Sequence, residues 1–104
     1  MAIPHHRNIL VLLDGTVCED LATVFQSKNV FFYPASSEQT VTIKFCDRVP
    51  FSNWKGQNTR TGDKGKPVKG RVDSRASGTF TYDPGGMPCD PERGNPKLIV
   101  SGGN

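Results

Sequence analysis

The chain has 104 residues, of which 35% are apolar and 22% are charged, and its net charge at neutral pH is +3. A chain of this length forms one domain around a single core, so we predict one domain over residues 1–104. Its longest apolar run has five residues, against the roughly 18 of a membrane-spanning helix, and 11 glycines with 8 prolines favour short strands. We therefore expect no membrane span.

The segment before Asp14 predicts one strand and no signal peptide. One arginine precedes a five-residue apolar core that ends at a charge, which is too short for a signal peptide. We expect an intracellular chain, or a mature form to which an initiating methionine was added. Residues 8–13 consist of Asn8 and this five-residue apolar run, and Asp14-Gly15 follows them, which predicts a strand buried on both faces and then a turn.

Residues 18–25 can be read in two ways. Leu21, Val24 and Phe25 fall on one helical face behind Glu19 and Asp20, and acidic residues suit the first turn of a helix. A helix of at most two turns and a strand over residues 22–25 are therefore both open.

The clearest strand signal is the sequence QTVTIKFC at residues 39–46. Apolar and polar side chains alternate along it, which is typical of a half-buried strand. Residues 30–33 are all β-branched or aromatic and end at Pro34, so they predict a second strand. We expect these two strands to pair with each other.

The second half of the chain predicts a long loop and three further strands. About twenty residues after Cys46 have loop composition, rich in glycine and basic side chains. Strands are predicted at residues 68–72, with Lys69 and Arg71 outward, at residues 78–82, with Phe80 inward, and at residues 97–100. The fold class is therefore all-β, a β-sandwich or small barrel with six to eight short strands and at most one short helix.

The segments TVTIKF and GTFTYDPGGMPCDPERGNPKLIV, together with VFFYPASSEQ, resemble the cupredoxin superfamily, the Greek-key sandwiches of plastocyanin and azurin. The resemblance covers residues 28–46 and 78–101. It implies a cupredoxin-like Greek-key β-sandwich, whose last two strands flank a copper-binding loop.

The copper ligands that the resemblance implies are not all present. A blue-copper site needs two imidazoles and a thiolate, with a weak axial thioether, and the family places Cys, His and Met in that order in the final loop. This loop has Cys89, but Met87 precedes it, and Asp90, Arg93 and Asn95 stand where an imidazole is expected.

Histidine occurs only at His5 and His6, side by side at the terminus, where neighbouring residues of an extended chain point to opposite faces. We predict no copper site and no cofactor. If copper bound at all, the candidate donors would be Cys89, Met87, His5 and His6.

The resemblance places the end of the 39–46 strand and the 82–97 loop at the same end of the sandwich. Cys46 and Cys89 could then form a disulfide, with Cys18 left as a thiol, and two free half-buried cysteines are the alternative. A disulfide would indicate a periplasmic or extracellular protein from which a signal peptide has been removed. Without it, the protein would be cytoplasmic.

No catalytic set is found in the sequence. With histidine confined to positions 5 and 6 there is no Ser-His-Asp or Cys-His pair, and no phosphate-binding loop has the required spacing. We predict that the protein is not an enzyme.

Three functions remain as hypotheses. The first is a non-catalytic cupredoxin-like domain that binds another protein or serves in assembly. The second is a small β-barrel that binds single-stranded nucleic acid, because residues 52–78 carry seven basic and two acidic side chains next to two aromatic ones. Its candidate surface consists of Phe51, Trp54, Lys55, Arg60, Lys64 and Lys66. The third is an atypical copper electron carrier.

Overall fold

A computed structural model describes residues 6–90 and 94–101, which form eight strands and one 3₁₀ turn. The strands are β1 (His6–Val11), β2 (Leu21–Phe25), β3 (Asn29–Pro34), β4 (Thr42–Phe45), β5 (Thr59–Thr61), β6 (Val68–Arg71), β7 (Gly78–Asp83) and β8 (Lys97–Ser101), and the 3₁₀ turn spans Ser52–Trp54. In the ranges that the structure describes, no helix is long and apolar enough to cross a membrane.

The strands form two sheets. One has the order β1-β3-β6 and the other has the order β2-β8-β7-β4-β5. The pairs β1–β3 and β2–β8 are parallel, and the other pairs are antiparallel. The predicted all-β sandwich is confirmed, but the expected pairing of the strands near residues 30–33 and 39–46 is wrong, because β3 and β4 belong to different sheets.

The core lies between the two sheets and is rich in aromatic rings. Phe32 from the three-stranded sheet contacts Tyr82 from the five-stranded sheet, with ring centroids 5.4 Å apart. Phe45 lies 5.5 Å from Tyr82, and Phe80 also points inward, as predicted. Each such side chain stabilises the fold by roughly 1.5–3 kcal/mol through burial, so these alternating apolar positions hold the two sheets together.

The first strand is buried on one face only, which corrects the prediction that it is buried on both. Ile9 and Val11 point into the core, whereas Leu10 is 41% exposed. The strand ends at Val11, before Leu13, because the chain then turns. Asp14 accepts hydrogen bonds from the backbone N–H (3.0 Å) and hydroxyl (2.6 Å) of Thr16, which lower the pKa of its carboxyl.

The ambiguous segment at residues 18–25 forms a strand, and the helix is wrong. β2 lies parallel to β8, with Ala22 opposite Leu98 and Val24 opposite Val100. Period-two alternation buries Ala22 and Val24 against the other sheet. A two-turn helix could not gain this pairing with a strand some 75 residues away in the chain, and short helices are marginal in isolation.

The basic loop contains structure that its composition did not predict. β5 pairs with the edge of β4, and the 3₁₀ turn buries Trp54, whose indole N–H donates to the backbone oxygen of Lys69 at 3.0 Å. Asn53 accepts a hydrogen bond from the backbone N–H of Arg71 at 2.8 Å. The 3₁₀ turn thus covers the otherwise open edge of β6.

The Tyr82 side chain is fully buried, and its hydroxyl has no hydrogen-bond partner among residues 6–90 and 94–101. Burial raises the pKa of this phenol, and the charges of Asp20 and Glu19 raise it further. The folded state disfavours the ionised form of this phenol. The contribution of the neutral phenol to the free energy of unfolding is therefore complete below the unfolded pKa of about 10 and is lost as the pH rises above it.

We expect Tyr82→Phe to keep or raise the free energy of unfolding at neutral pH, by up to about 1 kcal/mol, because it removes a buried group that lacks a partner. We also expect the variant to lose less stability than the parent above about pH 10. Urea unfolding at neutral and alkaline pH measures both effects. A clear loss of stability at neutral pH would show that the hydroxyl makes a stabilising hydrogen bond.

Candidate functional site

A disulfide joins the loop between β7 and β8 to the end of β4. Cys46 and Cys89 are bonded, with their Cα atoms 5.6 Å apart and a sequence separation of 43 residues. The backbone N–H of Cys46 donates to Thr81 at 2.9 Å, so Cys46 is itself fixed to β7. Of the two alternatives left open for these cysteines, the disulfide is confirmed, and Cys18 is an exposed free thiol, as expected with it.

A buried carboxylate fixes the other part of the same loop. Asp83 is 6% exposed at the end of β7. One of its oxygens accepts hydrogen bonds from the backbone N–H groups of Gly85 (3.0 Å) and Met87 (2.7 Å), and the other accepts from the Asn95 amide at 3.0 Å. Hydrogen bonds to a charged group are the strong class, so Asp83 ties both sides of the loop together.

We expect Asp83→Ala to lower the free energy of unfolding by about 2 kcal/mol, because three donors then lose a charged acceptor. Asp83→Asn, which keeps one acceptor oxygen, should lose less. Chemical unfolding gives the stability, and amide hydrogen exchange at Met87 reports the loop directly. Asp63→Ala, at an exposed carboxylate elsewhere, is the matched control, and equal losses in the two alanine variants would contradict this role.

The loop between β7 and β8 lies against the β1–β2 turn and the start of β4 at this end of the sandwich. A Cβ on Gly86, whose φ is +75°, would lie 2.6 Å from the side chain of Thr42 at the start of β4. Gly15, in the β1–β2 turn, lies against Gly85. We call residues 12–16, the start of β2 at Leu21, and residues 84–90 and 94–96 the loop end.

The loop end exposes large apolar side chains. Leu13 is 74% exposed, Leu21 is 60% exposed and Met87 is 56% exposed, which are the three highest values among the large apolar residues that the structure describes. Leu21 lies at this end because it begins β2 opposite Lys97, the first residue of β8. Exposed apolar residues gathered on one fixed surface are typical of protein-docking sites.

Among the described residues, the candidate copper donors are not assembled at the loop end. The sulfur of Cys89 is in the disulfide with Cys46. The side-chain amide of Asn95 donates a hydrogen bond to Asp83. His6 lies at the start of β1, the opposite end of that strand, with its ring 5.6 Å from Phe31. In the part of the chain that the structure describes, no three His, Cys, Asp or Glu residues are grouped to hold a metal. His5 and Arg93 lie outside the described residues.

The surface expected for nucleic acid around Trp54 does not form. Phe51 and Trp54 are both buried, with ring centroids 5.1 Å apart, so neither ring is free to stack on a base. Phe51 forms an isolated antiparallel β-bridge with Val72, which is hydrogen-bonded to the β2–β3 turn. Both residues are therefore away from the loop end. The sequence alone does not show whether these two rings are buried, because the long basic loop separates them from β6, the strand against which they pack.

The basic residues of that expected surface have different surroundings. The Arg60 guanidinium lies 5.7 Å from the Trp54 ring, and Lys64 pairs with Glu38 at 2.7 Å. Lys55 and Lys66 are exposed.

No family model and no curated protein matches the chain. Solved structures do match at the level of fold. A copper(I) form of an amicyanin variant superposes with a TM-score of 0.63 at 12% identity, covering 93% of this chain and 83% of that one. A purple cupredoxin from Nitrosopumilus maritimus gives a TM-score of 0.61 at 14% identity, covering 91% and 99%. The chain therefore has the cupredoxin fold.

Proposed function

We propose that this cupredoxin-fold chain is a non-catalytic domain without a blue-copper site, and that it binds another protein through its loop end. The observation that carries the proposal is the combination of a loop cysteine held in a disulfide with exposed leucine and methionine side chains at the loop end. A sulfur bridge fixes the loop in the place where the fold family holds a metal.

The rigidity of the loop end supports a docking role. The disulfide, the Asp83 hydrogen bonds and the close packing of Gly86 on Thr42 all hold the loop before any partner arrives. A surface held in its bound shape loses less conformational entropy on binding, which favours affinity. Met87 adds an unbranched, polarisable side chain that adapts to the partner's surface.

The disulfide also supports an oxidising compartment. Disulfides persist in secreted, periplasmic and cell-surface proteins and are rare in reducing compartments. We infer that the protein acts outside the reducing cytosol.

An atypical copper carrier is the competing function. It would require Cys89 as a thiolate, which the disulfide prevents. Adding Cu(II) to the oxidised protein should give no intense thiolate-to-copper absorption band in the visible spectrum. Such a band would favour the copper carrier.

Site-specific photo-crosslinking tests the docking surface. A photoreactive amino acid at Met87 should give a discrete crosslinked product in cells of the source organism, and the same group at exposed Ser74, near the other end, should not. Excess unmodified protein should abolish the product, whereas a Leu13→Glu, Met87→Glu competitor should not. Equal crosslinking at both positions, or none at position 87, would contradict the proposal.

A further inference from the structure

The outer face of the three-stranded sheet carries a second organised surface. The register places His6, Asn29 and Arg71 side by side, then Asn8, Phe31 and Lys69, and then Leu10 beside Tyr33. We call the six residues His6, Leu10, Phe31, Tyr33, Lys69 and Arg71 the aromatic face. It lies on a different sheet from the disulfide and does not depend on the loop end.

Three rings lie next to one another on this face. Phe31 and Tyr33 are two residues apart on β3, and their ring centroids are 6.0 Å apart with an interplanar angle of 37°. The His6 ring meets Phe31 edge-on. Phe31 is half-buried and Tyr33 is 39% exposed. Successive exposed rings on a sheet are the feature on which single-stranded nucleic acids stack their bases.

The charge of the face is positive and is not balanced by acidic residues. β1, β3 and β6 contain no Asp or Glu. The Lys69 ammonium lies 5.8 Å from the centre of the Phe31 ring, and Arg71 lies beside Asn29. In residues 6–90 and 94–101 no ion pair is made by Lys69 or Arg71. Both charges thus remain available to a polyanion.

The 3₁₀ turn fixes the direction of these two basic side chains. The backbone oxygen of Lys69 accepts from the Trp54 indole, and the backbone N–H of Arg71 donates to Asn53. Val68 and Gly70, the alternate residues of β6, are buried. Because side chains alternate along a strand, Lys69 and Arg71 must both point outward.

We propose that the aromatic face binds single-stranded nucleic acid, with bases stacked on Tyr33 and Phe31 and phosphates paired with Lys69 and Arg71. An acidic protein would use the two charges but would have no need of adjacent rings at stacking distance. The binding is independent of base sequence, because every base has a face that stacks and the positive charges read only phosphate.

Fluorescence anisotropy with a labelled oligothymidylate of about 12 nucleotides tests the proposal. We expect binding at low salt whose logarithm falls with log salt concentration at a slope of about −1.4, the value for two phosphate contacts on a single strand. Tyr33→Ala should weaken binding about tenfold or more through the lost stacking. Lys69→Glu with Arg71→Glu should abolish it.

The matched control is Lys44→Glu with Lys97→Glu, which makes the same change in net charge on the outer face of the other sheet. This variant should retain most of the binding. Absence of binding at low salt, no effect of Tyr33→Ala, or equal loss in both charge variants would overturn the proposal. Full competition by a polyglutamate peptide at equal charge would also overturn it, in favour of an acidic protein partner.

Discussion

Replacing Gly70 with alanine is expected to lower the free energy of unfolding by about 3 kcal/mol, at the upper end of the usual effect of overpacking. Gly70 lies on β6, and a Cβ there would lie under 3.0 Å from three atoms of the Phe51 ring. Phe51 cannot easily move, because its ring packs against Phe32, Phe45 and Trp54 in the core. The methyl group must therefore displace either the ring or the strand.

Urea unfolding of the variant measures this loss. Lys69→Ala, at the neighbouring exposed position, should change stability by no more than about 0.5 kcal/mol. Adding Phe51→Leu to Gly70→Ala should restore part of the loss, because the shorter side chain makes room for the methyl group. If Gly70→Ala is as stable as the parent, Phe51 does not pack on this strand as described.

Removing the disulfide by replacing both Cys46 and Cys89 with serine is expected to lower the free energy of unfolding by about 4 kcal/mol. The sequence separation of 43 residues sets this value, because a cross-link of that span restricts the unfolded chain by roughly that amount in the chain-entropy model. The loop should also lose part of its fixed shape, since only the Asp83 hydrogen bonds and the packing of Gly86 on Thr42, of the three contacts described above, would then remain.

Cys18→Ser provides the control, because this thiol is exposed and unpaired. Its stability should match that of the parent to within about 0.5 kcal/mol. A reductant should destabilise the parent to the level of the double-serine variant and should not affect that variant. A double-serine variant as stable as the parent would show that the bridge does not brace the fold.

Local patterns in the sequence predicted most of the strands. Alternation predicted β4 and the outward direction of Lys69 and Arg71, because period two is a local property of a half-buried strand. The pairing of the strands depends on distant partners. Residues 18–25 remained ambiguous because β8, which makes them a strand, comes near the end of the chain.

The site was only partly predictable. The resemblance in the final loop allowed a disulfide between Cys46 and Cys89 but left two free cysteines open, and no local signal marked Asp83 as the residue that organises the loop. The sequence left open whether Trp54 is buried under the long loop or exposed, because its hydrogen bond to Lys69 forms only when β6 returns across that polar loop. Contiguous aromatic residues such as those of β3 do not reveal from sequence which rings face outward.

We propose that a sulfur bridge, and not a metal, holds the loop between β7 and β8. The most direct test is a thiol titration of the denatured protein after export to an oxidising compartment and purification without reductant. The structure predicts one reactive thiol, that of Cys18. Three reactive thiols, one for each cysteine in the chain, would contradict the claim.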